Sequence, residues 1–377
     1  MKVAFLLNFP TNYKGGINYL KNIFYAICTY KKYDYNFILF VPKNISINIT
    51  LLFHKDVTII KTSLLTRYSL LWLLNKLTFN FFLSRLLLKH NIDIVSHSNY
   101  KSKIFYTINW IPDFQYLHYP NLWTRIGLKK TIKLHNSLVK NSDIILLSSN
   151  SAFEDYLIMY KDYNYKCEVL NFVSQPIDIN LNDKDYVINK YNIERDYFYL
   201  PNQFWQHKNH IIVYKAINEL KLNGYNPLLL TSGPMIDYRT KNNHIVDLSN
   251  YVIINNLQNN IKHLGIIEYN DVLKLMKFSI SLINPSLFEG WSSTIEEAKV
   301  IGTRIILSKI NVHLEQAPEN CFYFNPNDEL ELYNIMANIL SNKLDFFTYD
   351  NYKEKCIERT KIFSHKYYSI INNLIKV

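Results

Sequence analysis

Short, uninterrupted apolar runs recur along this chain, and stretches of helical period lie between them. VAFLLNF (3–9), FILFV (37–41), VTII (57–60), IDIV (92–95) and DIILLSS (143–149) lack the alternation expected of a sheet with one wet face. A strand that is apolar on both sides must be covered on both, which is the condition of a parallel sheet between two helical layers. Ile17, Leu20, Ile23, Phe24 and Ile27 follow the first run at helical spacing. A second series begins near residue 197 with YFYLPN and a helix from about Asn209 to Asn223, stopped at Gly224. PLLLTSG, YVIINN, IKHLG, SISLIN, a further helix, TRIIL and a last helix near 328–341 complete it. The polar, irregular segment 174–196 between the two series reads as the linker. With 377 residues the chain exceeds what a single core usually holds, about 250–300 residues. The pattern therefore predicts two doubly wound α/β domains with a ligand crevice between them, at the carboxyl ends of their strands.

At 48% hydrophobic and 19% charged residues, the composition is that of a globular protein. Cys28, Cys167, Cys321 and Cys356 are too dispersed for a zinc-type CxxC pair and read as reduced thiols. The N-terminal apolar run is broken by Asn8 and Pro10, too early for a signal-peptide core, and no run approaches the ~20 residues that span a bilayer. A cytoplasmic location is expected. The net charge of +11 is compatible with nucleic acid, an anionic membrane surface or phosphorylated substrates. Nothing matches a zinc finger, an RNA-binding aromatic signature or a basic-region helix, so nucleic acid is not the expected partner. Residues 61–90 are apolar and punctuated by Lys61, Arg67, Lys76, Arg85 and Lys89. Such a segment either lies on an anionic membrane face, making the protein peripheral there, or forms one or two buried helices with solvated basic edges. Because the apolar residues nearly encircle the helix, burial is the expectation.

One stretch carries chemistry: PSLFEGWSSTIEEAKVIGTRIIL, residues 285–307. Ser293 and Glu296 stand in capping-box spacing, which starts a helix near Thr294 and commits Glu296 to its backbone. Glu297 in the first turn reads by itself as a surface charge favoured by the helix dipole. Glu289, in the loop before the helix, has no such explanation. Backbone N–H groups around Gly290–Thr294 would form an anion site, flanked by carboxylates able to accept hydrogen bonds from hydroxyls. Phosphate in the middle and hydroxyls on either side describe a nucleotide sugar.

With its surroundings, 261–324, this stretch resembles the donor-binding part of the retaining glycosyltransferases of family four, whose mark is a Glu-x7-Glu motif. Here that motif is Glu289 and Glu297, in a matching PS-x-x-EG…EA…G context. PNQFWQHKNH (201–210) resembles the segment where the family usually has an arginine and, five residues on, a lysine clamping the donor diphosphate. Lys208 matches the lysine, whereas Gln203 replaces the arginine, a form similar to that of bacterial polysaccharide mannosyl- and rhamnosyltransferases. Gly15-Gly16 matches the family's glycine loop. WIPDFQYLHYP (110–120) resembles a segment whose histidine lies beside the reacting sugar, here His118.

The resemblance implies a GT-B fold with two Rossmann-like domains facing across a cleft. Residues 1–180 would form the acceptor-side domain and 190–350 the donor-binding domain, with a terminal helix of about 350–377 crossing back. It implies donor contacts from Gly15, Gly16, Gln203, Lys208, Glu289, Gly290, Trp291, Ser292, Ser293, Thr294 and Glu297, and catalytic roles for Glu289, His118 and Lys208. The implied reaction moves a sugar from a nucleotide diphosphate to a hydroxyl of a glycan or lipid-linked glycan, with retention and no covalent enzyme intermediate, in synthesis of a bacterial surface polysaccharide such as O-antigen, capsule or lipopolysaccharide. No cofactor and no metal are expected: Asp183-Lys184-Asp185 fits the Asp-x-Asp string of metal-dependent transferases but lies in the polar linker, not after an apolar strand. The rival readings are a sugar-nucleotide epimerase or hydrolase of the same architecture, and a non-catalytic basic protein that binds membrane or nucleic acid.

Overall fold

The computed structural model describes residues 1–9, 14–180, 183–237, 243–316, 318–344 and 351–376. They form two compact units: Met1–Phe114 with Lys129–Gln175 and Glu358–Val377, and Gln115–Leu128 with Pro176–Ile357.

In the first unit seven strands are β1 (Lys2–Leu6), β2 (Asn36–Pro42), β3 (Thr58–Thr62), β4 (Ile94–Ser96), β5 (Tyr106–Ile111), β6 (Ile144–Leu147) and β7 (Cys167–Val169). They pair in parallel in the order β3-β2-β1-β4-β5-β6-β7. Alternate residues of β1 explain its unbroken apolar run. Val3 and Phe5 belong to one core cluster with the Lys14–Thr29 helix, and Ala4 and Leu6 to another on the opposite face. The Tyr352–Lys376 helix adds Phe363, Tyr367, Tyr368, Ile371 and Leu374 to the first of these clusters.

The second unit repeats the scheme with β8 (Phe198–Leu200), β9 (Leu229–Thr231), β10 (Ile261–His263), β11 (Ser281–Asn284), β12 (Ile305–Ser308) and β13 (Cys321–Phe324), all parallel. Their order is β10-β9-β8-β11-β12-β13. Phe198 and Leu200 face one core and Tyr199 the other. Each sheet thus reverses its winding beside its own first strand, between β1 and β4 and between β8 and β11, which creates a switch point in each unit.

Three expectations give way. YVIINN is the end of a helix, His244–Ile254, with Ile253 and Ile254 exposed; a short apolar run does not by itself distinguish strand from helix. The linker segment is not irregular throughout: Asp183–Lys190 is a helix whose Val187 is buried, and Asp183 pairs with Lys274 at 2.9 Å. The departure is largest in residues 61–90, where the expected burial fails. The Leu70–Leu77 helix buries Asn75 alone, and the Phe81–Lys89 helix buries Leu83 and Leu87, while most of the other leucines and phenylalanines are exposed. Asn75 is buried because its amide is used: Oδ1 accepts the Leu83 N–H at 2.9 Å and Nδ2 donates to Asn80 Oδ1 at 3.1 Å. Among the described residues no helix is long and apolar enough to cross a membrane.

Candidate functional site

The switch point of the second unit is occupied by amides and hydroxyls that end apolar strands. Asn202, just past β8, donates from Nδ2 to Oδ1 of Asn284, the last residue of β11, at 3.2 Å. Asn284 Nδ2 in turn donates to Ser292 Oγ at 3.1 Å. Ser286 Oγ lies 2.8 Å from Asn284 Oδ1 and 2.7 Å from Glu289 Oε1, and its single proton serves one of them at a time. Ser308, ending β12, donates to the Ser286 carbonyl at 2.6 Å. A chain of buried polar groups with partners fixes positions, because leaving any one unpaired costs about 1–3 kcal/mol.

Two loops meet at this network. After β8 the chain makes a one-turn helix, Gln206–Lys208, and passes through Asn209, whose φ of 55° suits the short polar side chain, into the His210–Leu222 helix. The Leu287 N–H donates to the His207 carbonyl at 2.8 Å, which holds this turn against the loop after β11. Lys208 and Glu289 face each other there, Nζ to Oε1 at 2.6 Å, with side chains 15% and 9% exposed. Burial is the largest single influence on Glu289 and opposes its ionisation, but the charge and hydrogen bond of Lys208 and the Ser286 hydroxyl act together with the remaining surroundings to hold the carboxyl below its ordinary value. A buried ion pair rarely stabilises a fold over an apolar pair of the same size. Its presence at a switch point is the observation that needs a functional account.

Gly233 backs the Lys208 loop. Its φ is +123°, and a Cβ there would come within 2.7 Å of the Asn202 carbonyl oxygen, so glycine is required where the two backbones cross. Gln203 follows Asn202 in the same loop, half-buried.

The helix of the Glu-x7-Glu stretch is Ser293–Ile301, capped at Ser292, and the capping box does not form. Glu296 is buried and takes its hydrogen bonds from Lys299 Nζ and Gln316 Nε2, each at 3.0 Å, not from the backbone at the helix start. Gln316 also receives the Ser292 N–H on Oε1 and donates to the Ser292 carbonyl, both at 3.0 Å. One of the N–H groups assigned to an anion is therefore committed to a side chain. Nor is Glu297 a surface charge: it is buried, and Oε1 accepts the Tyr269 hydroxyl proton at 2.7 Å. Gly290, Trp291 and Thr294 are half-buried and Ser293 is exposed.

His118 ends the short Gln115–His118 helix, a segment that belongs to the second unit although it lies within the chain's first half. Its ring centroid is 5.2 Å from that of Phe288, next to Glu289, and the Tyr119 hydroxyl donates to the Leu287 carbonyl at 3.3 Å. The structure thus brings His118, Lys208, Glu289 and the Ser293 helix to one loop cluster. Gly15 and Gly16 belong to the first unit, in the first turn of the Lys14–Thr29 helix, Gly15 exposed and Gly16 buried.

Sequence reasoning missed Asn202, Asn284, Tyr269, His313 and Gln316. His313 is fully buried, its Nδ1 lies 2.8 Å from the Ser308 carbonyl oxygen, and burial keeps the ring neutral, down to about 4, against the pull of Glu289. His313 and Gln316 stand three residues apart in NVHLEQ, a same-face helical spacing that marks the pair as detectable. At the switch point of the first unit, His97 follows β4 with φ 50°, stacked on Phe5 at 5.4 Å. Its Nε2 has no hydrogen-bond partner, and burial holds the ring neutral, down to about 3.

Two Rossmann-like parallel sheets of one winding pattern, each between helical layers, make this a GT-B fold. Residues 183–363 match the family described as glycosyl transferases, group 1, and this match together with the fold supports placing the chain in the GT-B glycosyltransferase superfamily. A search of the curated proteins finds no match. Among solved structures the chain is similar to a glycosyltransferase from Rickettsia africae (16% identity, TM-score 0.68, covering 100% of this chain and 98% of that one). It is similar also to Anabaena HepE in complex with UDP and glucose (13%, TM-score 0.65, 100% and 98%) and to the lipopolysaccharide outer core galactosyltransferase WaaB (15%, TM-score 0.61, 100% and 99%).

Proposed function

We propose that this protein is a retaining glycosyltransferase of family four that moves a sugar from a nucleotide diphosphate sugar to a hydroxyl of a glycan or lipid-linked glycan. The observation that carries the reading is the largely buried Lys208–Glu289 pair at the switch point of the second unit. In this reading Lys208 takes the donor diphosphate and Glu289 accepts hydrogen bonds from the donor sugar. Glu297 does the same for the ribose, and His118 lies beside the reacting carbon. Gln203 and the backbone of Gly290–Thr294 complete the donor contacts, with the Ser292 N–H already taken by Gln316.

The chemistry follows from where charge develops. As the bond from the anomeric carbon to the diphosphate oxygen breaks, negative charge grows on that oxygen, and a fixed ammonium in a site poor in water stabilises it without reorganising. The acceptor oxygen forms its bond on the same face of the sugar, and its proton passes to the departing phosphate. No side chain is consumed as a nucleophile, and no metal has a part. UDP and UDP-glucose complexes of HepE support a nucleotide sugar donor. The fold is shared with WaaG, a glycosyltransferase involved in lipopolysaccharide biosynthesis, and with WaaB, which supports a bacterial surface polysaccharide, with lipopolysaccharide the first choice.

The test is a thermal-shift screen of nucleotide sugars, followed by transfer assays with the one that binds. A donor at about 100 times its Kd adds about 2.7 kcal/mol to the stability of the folded state, enough to identify it. NMR of the product reads the anomeric configuration. Turnover that proceeds equally fast without acceptor, or an inverted product, overturns the proposal.

A further inference from the structure

The surface formed by residues 68–89 of the first unit has no role in the reading above. Phe79 is 94% exposed, Tyr68 90%, Leu70 72% and Leu77 67%, with Leu71, Leu73, Phe81 and Phe82 also exposed. Residues 57–92 hold five basic side chains, Lys61, Arg67, Lys76, Arg85 and Lys89, and no Asp or Glu. Two of these cations lie against the aromatic rings of the patch itself: Lys76 Nζ is 4.8 Å from the Trp72 ring and Arg85 is 5.2 Å from that of Phe81. A cavity of about 490 Å³ adjoins the patch, lined by Arg67, Tyr68, Trp72 and Lys76 together with Asn8 and Asn99.

The chemistry of the surface selects what covers it. Apolar side chains flanked only by cations match a layer that is apolar below and anionic above. A second copy of this chain meets the apolar requirement and fails the electrostatic one, because a twofold contact sets the same positive charges against each other. Helices of 8 and 9 residues are too short to enter a bilayer end-on and suit one lying in its plane.

We infer that helices Leu70–Leu77 and Phe81–Lys89 seat on an anionic phospholipid surface. The leucines and Phe79 reach the acyl boundary, and Arg67, Lys76, Arg85 and Lys89 stand at the phosphate level. This inference does not depend on sugar transfer.

The experiment is co-sedimentation of the full chain with phosphatidylglycerol-containing vesicles, with phosphatidylcholine vesicles as control, across a salt series. Binding is expected to the first and not the second, and to weaken as salt rises. Each basic residue near an anionic surface contributes about fivefold. Lys76→Glu with Arg85→Glu should thus lower partitioning by at least about tenfold, and Leu73→Asp with Leu77→Asp should abolish it, while both variants keep the wild-type melting temperature. No sedimentation of the wild-type chain overturns the proposal. So does binding that ignores the leucine changes, which is adsorption by diffuse charge, and so does binding that ignores the charge reversals. Dimerisation in solution that the leucine changes remove, or an acidic protein that competes the chain off vesicles through this face, assigns the surface to that partner instead.

Discussion

In the first unit Leu70, Leu77 and Phe79 stand in solvent while Asn75 is buried. In the second, Glu289, Glu296 and Glu297 are turned inward while the nearby helix start at Ser293 is exposed. Both arrangements sacrifice stability. An exposed leucine forgoes about 1.5–3 kcal/mol of burial, and a buried carboxylate costs several unless it is matched. The difference lies in the matching. Each glutamate has a named partner: Lys208 for Glu289, Lys299 and Gln316 for Glu296, Tyr269 for Glu297. The leucines of the first unit have no such internal answer, and their complement has to come from outside. Departures from ordinary burial concentrate where a protein does something other than fold. Here one departure is completed within the chain and the other is left open.

The largest test of that contrast removes the completed pair. Glu289→Gln keeps the shape and the Ser286 contact but deletes the charge, and sugar transfer should fall by about a hundredfold or more, as it does when a preorganised charge or donor is removed from an active site. The variant should also lose up to about 3 kcal/mol of stability, because Lys208 is left without its counter-ion. Adding Lys208→Met should restore the melting temperature to the wild-type value or above while leaving transfer absent. If the double variant is inactive and also less stable than Glu289→Gln, the pair serves the fold and the functional reading of the second unit falls.

How much of this was legible from the residues depended on which physical signal each feature leaves. Strands buried on both faces announce themselves as unbroken apolar runs, so β1, β2, β6 and β12 stood out. β7 and β13, CEV and CFYF, are edge strands only partly buried, and β5, YTINWI, mixes polar residues into its run, so these three were not visible. Glu289 and Glu297 were conspicuous by spacing and context, but their burial was not, because Tyr269, which meets Glu297, lies 28 residues away. The capping-box reading of Glu296 failed for the same reason: Gln316, 20 residues on, competes successfully for that carboxylate. The leucine-rich helices misled in the opposite sense. A pattern apolar all round implies a buried helix only when something is present to bury it.

A test of intermediate size uses pH. His313, with its ring held down to about 4, and His97, down to about 3, are neutral in the folded protein, whereas an unfolded histidine titrates near 6.5. Between those values the unfolded chain binds more protons than the folded one, so stability rises with pH through this window and falls on acidification. By pH 5 each of these histidines should cost up to about 2 kcal/mol relative to pH 8. Melting curves from pH 8 to 5 should slope accordingly. His97→Phe, in a site already lined by Phe5, Tyr19 and Tyr367, should flatten part of the slope without affecting the Lys208–Glu289 pair. An unchanged slope in that variant would mean that His97 takes up its proton without unfolding.

The smallest expected effect is the most direct check on the open half of the contrast. Leu70→Ser and Leu77→Ser change side chains that are mostly in solvent, so each should alter stability by no more than about 0.5 kcal/mol. Leu87→Ala, on the next helix, removes a fully buried side chain and should cost about 2–5 kcal/mol. Chemical denaturation of the three variants separates the cases cleanly, because the apolar residues differ only in what surrounds them. Should Leu70→Ser or Leu77→Ser destabilise the isolated chain as Leu87→Ala does, those leucines are covered by the protein itself. They would then leave nothing exposed for a lipid surface to complete.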